Sequence, residues 1–412
     1  MLKQLSKKSE QYISELKSNL EKEQNIFLDK IKGKQSSKIK TVIRLATIIL
    51  ICVVFVLLWT NRYVLAPDNI GIWIRDSISS IGSGSGYPCS ICGINVDAKN
   101  IKMMGSDLVY LSDTSFIAMN NSAKEMSNRQ HSMNLPVLKA SGNRAIAYNL
   151  GEKGFQIETK SKNLYKGNAE NDIISGDISQ NGEYGLLTEQ SGYFGEMDIF
   201  SKSNNGKYKY CFSQHYVNEI SMGHNGKYAA VSGTSAKDGV LKSVVYVFDF
   251  KNDKPKLIME YNDNVILSVK CLSNGNIAVV GDKMFSIINA NKEKKYDYNY
   301  DDRHLTAFDI NPEKGIALSL SKTSDGRGCD ILRFDIGGTK LNDIVTELKI
   351  NSISYNGDVC AAFSAGEIYV YGHYGNLRGT WKAGNNIKNI VLSSSKTAYT
   401  LGTTEIGFIR FK

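Results

Sequence analysis

Several residue types that build common active sites are scarce in this chain of 412 residues. It has five prolines, three tryptophans and five histidines, and no two histidines show the i, i+4 or His-Glu-x-x-His spacing of a zinc site. A Gly-x-Ser-x-Gly elbow and a recognisable pair of catalytic carboxylates are also absent. The sequence therefore predicts no catalytic residues, no metal site and no cofactor, and we expect the protein not to be an enzyme.

Cysteine supplies no disulfide framework, because the spacing of the seven cysteines is irregular. Cys89 and Cys92 have the Cys-x-x-Cys spacing of a redox pair, but such a pair needs its first cysteine at a helix N-terminus. Here both residues lie in a predicted strand, where positions i and i+3 face opposite sides. We therefore interpret them as buried structural residues rather than as a redox site.

Two glycine-containing segments resemble ligand loops only in part. Residues 82–86 read Gly-Ser-Gly-Ser-Gly, without the Lys-Ser/Thr that follows in a phosphate loop. Residues 325–330 lack the alternating acids of a calcium loop and are more typical of a hairpin.

Positive charge is concentrated at the N-terminus. The net charge is +9, and residues 1–44 hold eleven Lys/Arg against five acids. The rest of the chain is nearly balanced and shows no basic stripe, so we expect no nucleic-acid partner.

One long apolar run is present, at residues 45–59. A helix over residues 41–60 would be about 30 Å long, which matches the hydrocarbon core of a bilayer. Arg44 lies at one end, and Trp59 and Tyr63 lie at the other, where an aromatic belt forms. The run predicts a single transmembrane helix. The basic residues before it predict a cytoplasmic N-terminus and an extracellular C-terminal region in the cell envelope.

The segments that flank this span have weaker patterns. Residues 1–40 have apolar residues largely on one helical face, which fits a short coiled coil, a helix on anionic lipids, or a basic tail that only fixes topology. In residues 61–86, Ala66-Pro67-Asp68 is typical of a helix start, and residues 82–86 are typical of a flexible Gly/Ser linker. We expect a short helix near the outer membrane surface.

A repeat of about 40 residues occupies residues 87–412. It is marked by an apolar strand, a tight turn and a second apolar strand, and the turns carry glycine because hairpin turns need positive φ. The seven turn glycines are Gly105, Gly142, Gly182, Gly226, Gly275, Gly315 and Gly357, and an eighth turn lies at residues 393–396. The pattern predicts an all-β fold, a β-propeller with four short strands per blade.

The two ends of the repeat region complement each other. The chain ends directly after the third strand of the eighth repeat, which would leave an exposed strand edge. Residues 87–93 form an extra strand before the first repeat, with Pro88 tolerable at its start. We therefore predict eight blades closed by strand exchange between the ends, with seven blades as the alternative.

The repeats resemble those of the WD-repeat and quinoprotein-like propeller superfamily. Phe248-Asp249 and Phe334-Asp335 stand where the Trp-Asp dipeptide ends a third strand, and His304 resembles the structural histidine of WD repeats. The whole layout is similar to an uncharacterised family of membrane-anchored, extracytoplasmic propeller proteins of Gram-positive bacteria. This resemblance implies a fold and a location, and it carries no catalytic residues to transfer.

Tyr296, Tyr298 and Tyr300 alternate with polar residues, so one face of a predicted fourth strand is aromatic. Exposed rings could stack on the sugars of a wall polymer, whereas buried rings would pack between blades.

A tethered repeat fold without a catalytic signature predicts a scaffold that binds an envelope protein or a cell-wall polymer. The first alternative is an extracytoplasmic enzyme, a hydrolase or a quinone-dependent dehydrogenase, with its site in the propeller channel. Acids or basic residues converging on the channel would favour it, and a small, apolar lining would not. The second alternative is a sensor that signals to residues 1–40.

Overall fold

The computed structural model describes residues 18, 20–23, 36–60, 67–237, 239–384 and 386–411. The predictions for residues 1–17 and 24–35 and for Tyr63 lie outside these residues. The chain divides into two compact units, Met1–Leu65 and Ala66–Lys412.

The first unit contains helix α1 (Ser36–Thr60). Its described side chains, residues 42–56, are all exposed, Arg44 among them, and Trp59 lies in its last turn. Within the described residues, no helix is long and apolar enough to cross a membrane.

The second unit begins with helix α2 (Pro67–Ser80), which starts at the predicted proline. After it, the described residues form eight four-stranded antiparallel sheets, each of which is one blade. Blade 1 contains β2 (Val96–Met104), β3 (Asp107–Ser112), β4 (Ser115–Met119) and β5 (Glu125–Gln130); blade 2 contains β6 (Pro136–Ser141), β7 (Arg144–Asn149), β8 (Gly154–Glu158) and β9 (Asn163–Asn168). Blade 3 contains β10 (Ile173–Ile178), β11 (Tyr184–Thr188), β12 (Glu196–Phe200) and β13 (Gly206–Cys211); blade 4 contains β14 (Tyr216–Met222), β15 (Tyr228–Lys237), β16 (Val240–Asp249) and β17 (Leu257–Asn262).

The other four blades follow the same order. Blade 5 contains β18 (Ile266–Cys271), β19 (Ile277–Gly281), β20 (Met284–Asn289) and β21 (Lys294–Asn299); blade 6 contains β22 (His304–Asn311), β23 (Gly315–Ser321), β24 (Cys329–Phe334) and β25 (Lys340–Val345). Blade 7 contains β26 (Ser352–Tyr355), β27 (Cys360–Ser364), β28 (Glu367–Tyr371) and β29 (Leu377–Lys382); blade 8 contains β30 (Ile387–Ser394), β31 (Thr397–Gly402), β32 (Glu405–Arg410) and β1 (Cys89–Ser90).

Blade 8 joins the two ends of the propeller, as the sequence predicted. Strand β1 pairs with β32 in the register Cys89 to Ile406, and the Tyr87 ring lies 5.4 Å from the Tyr399 ring. The prediction of eight blades is confirmed, and the seven-blade alternative is wrong. Closure matters because it pairs an edge of β32 that would otherwise be open to another chain.

The core lies between blades rather than in one central mass. One buried cluster, for example, joins Ala317 and Ile331 of blade 6 to Ile353 and Cys360 of blade 7. Each sheet therefore packs on both of its neighbours, and its second strand is buried along its whole length in blades 1, 2, 3, 5, 6 and 7.

All seven predicted turn glycines have positive φ. At Gly315 the reason is also steric, because a Cβ would lie 2.1 Å from the carbonyl oxygen of Phe334. In blades 1 to 7, these glycines let the first strand turn directly into the second.

Antiparallel pairing places the connections of every blade at two opposite faces. We call the face with the first-to-second and third-to-fourth strand connections the underside. The upper face carries the second-to-third strand connections and those between blades. Helix α2 contacts the underside, where Ser161 Oγ donates to Asp76 Oδ1 at 2.5 Å and Ser80 Oγ donates to Asp107 Oδ1 at 3.2 Å.

Residues 82–86 are held on the same face, unlike a free linker. Asn120 Nδ2 donates to the carbonyl oxygen of Gly82 at 2.9 Å, and the amide of Gly84 donates to Ser122 Oγ at 3.1 Å. A Cβ at Gly84 would lie 2.2 Å from the backbone nitrogen of Lys124, so this close approach requires glycine.

Candidate functional site

The first strands of neighbouring blades contact one another around the central channel, and one residue from each lies at a common level of this inner edge. Alternate residues such as Ile101, Leu138, Ile220 and Val269 are buried against the preceding blade, so the residues that follow them lie on the side of the next blade, at the inner edge of each sheet. The resulting ring consists of Lys102, Lys139, Asp177, Ser221, Lys270, Asp309, Ser354 and Val391. We call these eight residues the channel ring.

Side chains of the inner strands bind the backbone of the next blade. Asp177 Oδ2 accepts from the Met222 amide at 2.9 Å, and Asp309 Oδ2 accepts from the Tyr355 amide at 2.8 Å. Ser354 Oγ accepts from the Leu392 amide at 3.0 Å. The inner strand of a blade has an unpaired edge, and its buried amides need acceptors. The acids of the channel therefore have a structural role in joining blades.

The lysines of the channel ring differ in their partners. Lys270 Nζ lies 2.9 Å from Asp177 Oδ2, and Lys139 Nζ lies 2.6 Å from Glu219 Oε1. Lys102 makes no hydrogen bond or ion pair with any residue that the structure describes. It is half-buried between two lysines that are already paired.

These surroundings shift pKa values in opposite directions. Burial lowers the pKa of Lys102 to about 8, and the charges of Lys139 and Lys270 add to this effect. Burial also acts on Lys139, but the carboxylates of Glu219 and Asp177 outweigh it and raise the pKa of this lysine. The pKa of Asp309 lies above its ordinary value because the carboxyl is buried, although the Tyr355 amide and Lys102 partly offset this.

Two adjoining cavities open on the upper face beside blades 2, 3 and 4. The first has a volume of about 600 Å³ and the second about 480 Å³, and Lys153 and Asp172 line both. In the second, the rings of Phe194 and Tyr216 pack edge to face at 4.5 Å, and Tyr193 is exposed beside them. Together they form one groove with aromatic and acidic walls, which we call the upper groove.

The two faces carry opposite charge. The described underside connections hold eleven lysines (Lys124, Lys160, Lys162, Lys202, Lys227, Lys251, Lys254, Lys256, Lys292, Lys314, Lys396) and six acids (Glu183, Asp253, Glu293, Glu313, Asp335, Asp358). The described upper connections hold eleven acids (Asp113, Glu152, Glu170, Asp172, Glu189, Asp263, Asp282, Asp301, Asp302, Asp325, Glu347) and six basic residues (Lys153, Lys283, Arg303, Lys322, Arg327, Lys349). The upper face therefore favours a basic ligand, and the underside favours an anionic one.

Comparison with known proteins places this propeller in a family. A family of unknown function, DUF5711, matches residues 92–411, which include every strand of the propeller except β1. The chain belongs to the DUF5711 family. A search of curated proteins finds no match.

Solved structures support the fold of this DUF5711 propeller. BamB from Moraxella catarrhalis is similar at a TM-score of 0.50 and 10% identity, covering 79% of this chain and 100% of that chain. A eukaryotic initiation factor is similar at a TM-score of 0.51 and 12% identity, covering 80% of this chain and 89% of that chain. The likeness shows the fold alone, a β-propeller.

Of the predicted stacking tyrosines, Tyr296 and Tyr298 lie on β21 and Tyr300 directly follows it, and the three differ in exposure. Tyr300 is buried in the cluster between blades 5 and 6, and the Tyr298 ring packs at 5.4 Å against Phe334. Arg303 Nη2 also donates to the Tyr298 hydroxyl at 3.0 Å. Of the three rings, Tyr296 alone is exposed, so the tyrosines do not form one open platform.

The other candidates fall into structural positions. Cys89 lies in β1, where burial raises the pKa of its thiol, and Cys92 lies just beyond that strand. Both are free, as are the other described cysteines. His304 is exposed at the start of β22, unlike the structural histidine that the resemblance implied. Residues 325–328 lie in the connection between β23 and β24, as expected of a hairpin.

One fully buried charge carried no sequence signal. Arg333 of β24 donates to the carbonyl oxygens of Gly372 and His373, both at 2.9 Å, and to the side chain of Asn342. It thereby joins blade 6 to the third connection of blade 7. An isolated arginine in a strand pattern gives no indication of such partners, since the two carbonyl groups belong to the next repeat along the chain.

Proposed function

We propose that this protein is a membrane-anchored module of the cell envelope that binds a basic segment of an envelope protein in its upper groove. The observation that carries the proposal is that this aromatic groove opens on the face where acids outnumber basic residues. An anionic wall polymer would be repelled by the same acids, so the charge favours a protein partner over such a polymer.

The groove offers the features of a binding site. Tyr193 and Tyr216 provide exposed aromatic surface, which is enriched at protein interfaces. Asp172 and Glu189 line the groove close to them and supply negative charge. A partner would therefore insert an apolar or basic side chain between aromatic and acidic groups.

Anchoring is supported by α1 and by the residues before it. Its described side chains include Ile48, Leu50 and Phe55, all of which are exposed. Such a surface is stable when lipid covers it. The Lys/Arg excess of residues 1–44 supports a cytoplasmic N-terminus and an extracellular propeller.

Photocrosslinking in cells tests the binding function. A photoreactive residue in place of Tyr193 should give an adduct with a protein. The same residue in place of Tyr374, which is exposed on the underside, should not give that adduct. The double variant Asp172→Asn, Glu189→Gln should lower the adduct yield by roughly tenfold, because the groove loses charges that attract a basic partner. Glu293→Gln with Glu313→Gln on the underside should leave it unchanged. Adducts with glycan alone, or equal yields from both positions, would contradict the proposal.

An extracytoplasmic enzyme is the second candidate, and the charged channel ring is the observation that favours it. Its acids, however, already accept hydrogen bonds from backbone amides of neighbouring blades. A hydrolase or quinone-dependent activity that is lost in Lys102→Met, with the fold intact, would support this candidate. No change of activity in that variant would count against a site at the ring.

A further inference from the structure

Helix α2 has the reverse of the usual burial pattern for a helix packed on a protein. Of its described side chains, Asp76 alone is buried, at 2% exposed. Ile74 and Ile78, two residues before and after Asp76, lie on the opposite side and are 47% and 62% exposed. Trp73, one turn before Asp76, is 50% exposed. Ile81, one residue beyond the helix, is 70% exposed. A helix that packed only on the propeller would bury its apolar face instead.

Contacts with the underside fix this orientation. Asp76 accepts from Ser161, and Ser80 donates to Asp107, which also forms an ion pair with Lys160 at 2.6 Å. Lys124 Nζ donates to the carbonyl oxygen of Ser79 at 3.1 Å. These polar partners hold one side of α2 on the propeller. Its apolar side therefore points away from the blades, in the direction that the underside faces.

The charge of the underside indicates what covers this apolar face. Lysines outnumber acids there, and Lys162, Lys227, Lys251 and Lys254 are exposed. Apolar residues with a tryptophan, flanked by lysines, are the combination that binds the boundary between headgroups and acyl chains of an anionic membrane. A second copy of the chain would bring two basic surfaces together, which charge repulsion disfavours.

We propose that the underside is a second membrane contact, with the apolar face of α2 in the lipid interface and the underside lysines on anionic headgroups. This inference rests on the proposed anchoring and adds an orientation to it. The upper groove then faces away from the membrane, where a partner can reach it. The propeller is held at a fixed angle rather than on a free tether.

Quenching of tryptophan fluorescence by brominated lipids tests this contact in the full chain. The chain is reconstituted into vesicles of phosphatidylcholine with phosphatidylglycerol, with Trp59→Phe and Trp381→Phe leaving Trp73 as the reporter. The matched control carries Trp73→Phe as well and Tyr193→Trp on the upper face. We expect strong quenching of Trp73 and none of the control reporter. Lys251→Glu with Lys254→Glu should reduce the quenching of Trp73, whereas Lys153→Glu with Lys322→Glu on the upper face should not.

The outcomes separate the two proposals. If the protein floats with the vesicles but Trp73 is not quenched, the second contact is wrong and the anchoring stands. If the protein does not float, the anchoring itself fails. If Trp73 becomes shielded from solvent in the absence of lipid as the protein concentration rises, a second copy of the chain covers α2. That result would overturn the inference.

Discussion

At the scale of single residues, the channel ring contains two lysines with opposite effects on stability. Folding lowers the pKa of Lys102 from 10.5 to about 8. Between pH 8 and pH 10.5, folding therefore releases the proton of this lysine. Between them the unfolded chain binds more protons, and stability rises with pH; below about pH 8 the full cost of the buried charge remains. Lys139 is the reverse case, because Glu219 raises its pKa and favours its charge.

The variants Lys102→Met and Lys139→Met should therefore differ in sign. Near pH 7, Lys102→Met should raise the free energy of unfolding by on the order of 1 kcal/mol, and this gain should shrink as the pH approaches 10. Lys139→Met should lower it by about 1–3 kcal/mol, since it leaves the Glu219 carboxylate without its lysine. Urea unfolding of both variants at the two pH values measures the difference. A loss of stability in both would show that the charge of Lys102 is compensated.

At the scale of elements, the closing strand β1 depends on few contacts. It has two residues, and the segment before it is held by the Tyr87 ring against Tyr399 and Phe408. The hydroxyl of Tyr87 also donates to the carbonyl oxygen of Asn120 at 2.9 Å. Tyr87→Ala should lower the free energy of unfolding by about 3 kcal/mol, because the ring bridges blades 8 and 1. Tyr374→Ala, at an exposed ring, is the control and should change it little. Calorimetry measures both, and equal small effects would mean that closure contributes little to stability.

The sequence predicted this element because the number of strands in the repeats was enough to reveal it. The eighth repeat has three strands of its own and therefore an open edge, and residues 87–93 form a strand outside the other repeats. It did not predict how α2 and residues 82–86 lie on the underside. Their contacts with Asp107, Asn120 and Ser161 use ordinary polar residues at no regular spacing. The glycines of residues 82–86 predict a flexible linker, whereas at Gly84 the close approach of the Lys124 backbone requires a glycine.

At the scale of the whole molecule, the difference in charge between the two faces was hidden in the sequence. Outside the N-terminal tail the chain is nearly neutral. Its acids and lysines are segregated between alternate connections, so any window of sequence averages them. The asymmetry became visible only when the strand order assigned each connection to a face. The channel ring was hidden for the same reason, since its members come one from each blade.

The arrangement of the core predicts how the ring unfolds. Each buried cluster is shared by two neighbouring blades, and β1 closes the circle, so no blade has a core of its own. An open array of repeats can lose its terminal units first, but a closed ring has no terminal unit to lose.

We therefore expect the eight blades to unfold in one cooperative transition. A cavity made in the core on either side of the ring should destabilise the whole propeller. Ile146→Ala in blade 2 and Leu318→Ala in blade 6 remove fully buried side chains from opposite sides of the ring. Each should lower the free energy of unfolding by about 2–5 kcal/mol. In both variants, all eight blades should lose amide protection at the same urea concentration, as measured by pulsed hydrogen exchange. If Ile146→Ala released blades 1 to 3 while blades 5 to 7 stayed protected, the blades would be independent units. Closure by β1 would then protect a strand edge without making the blades unfold together. Cooperative unfolding requires that lost packing at one interface between blades destabilises all the others.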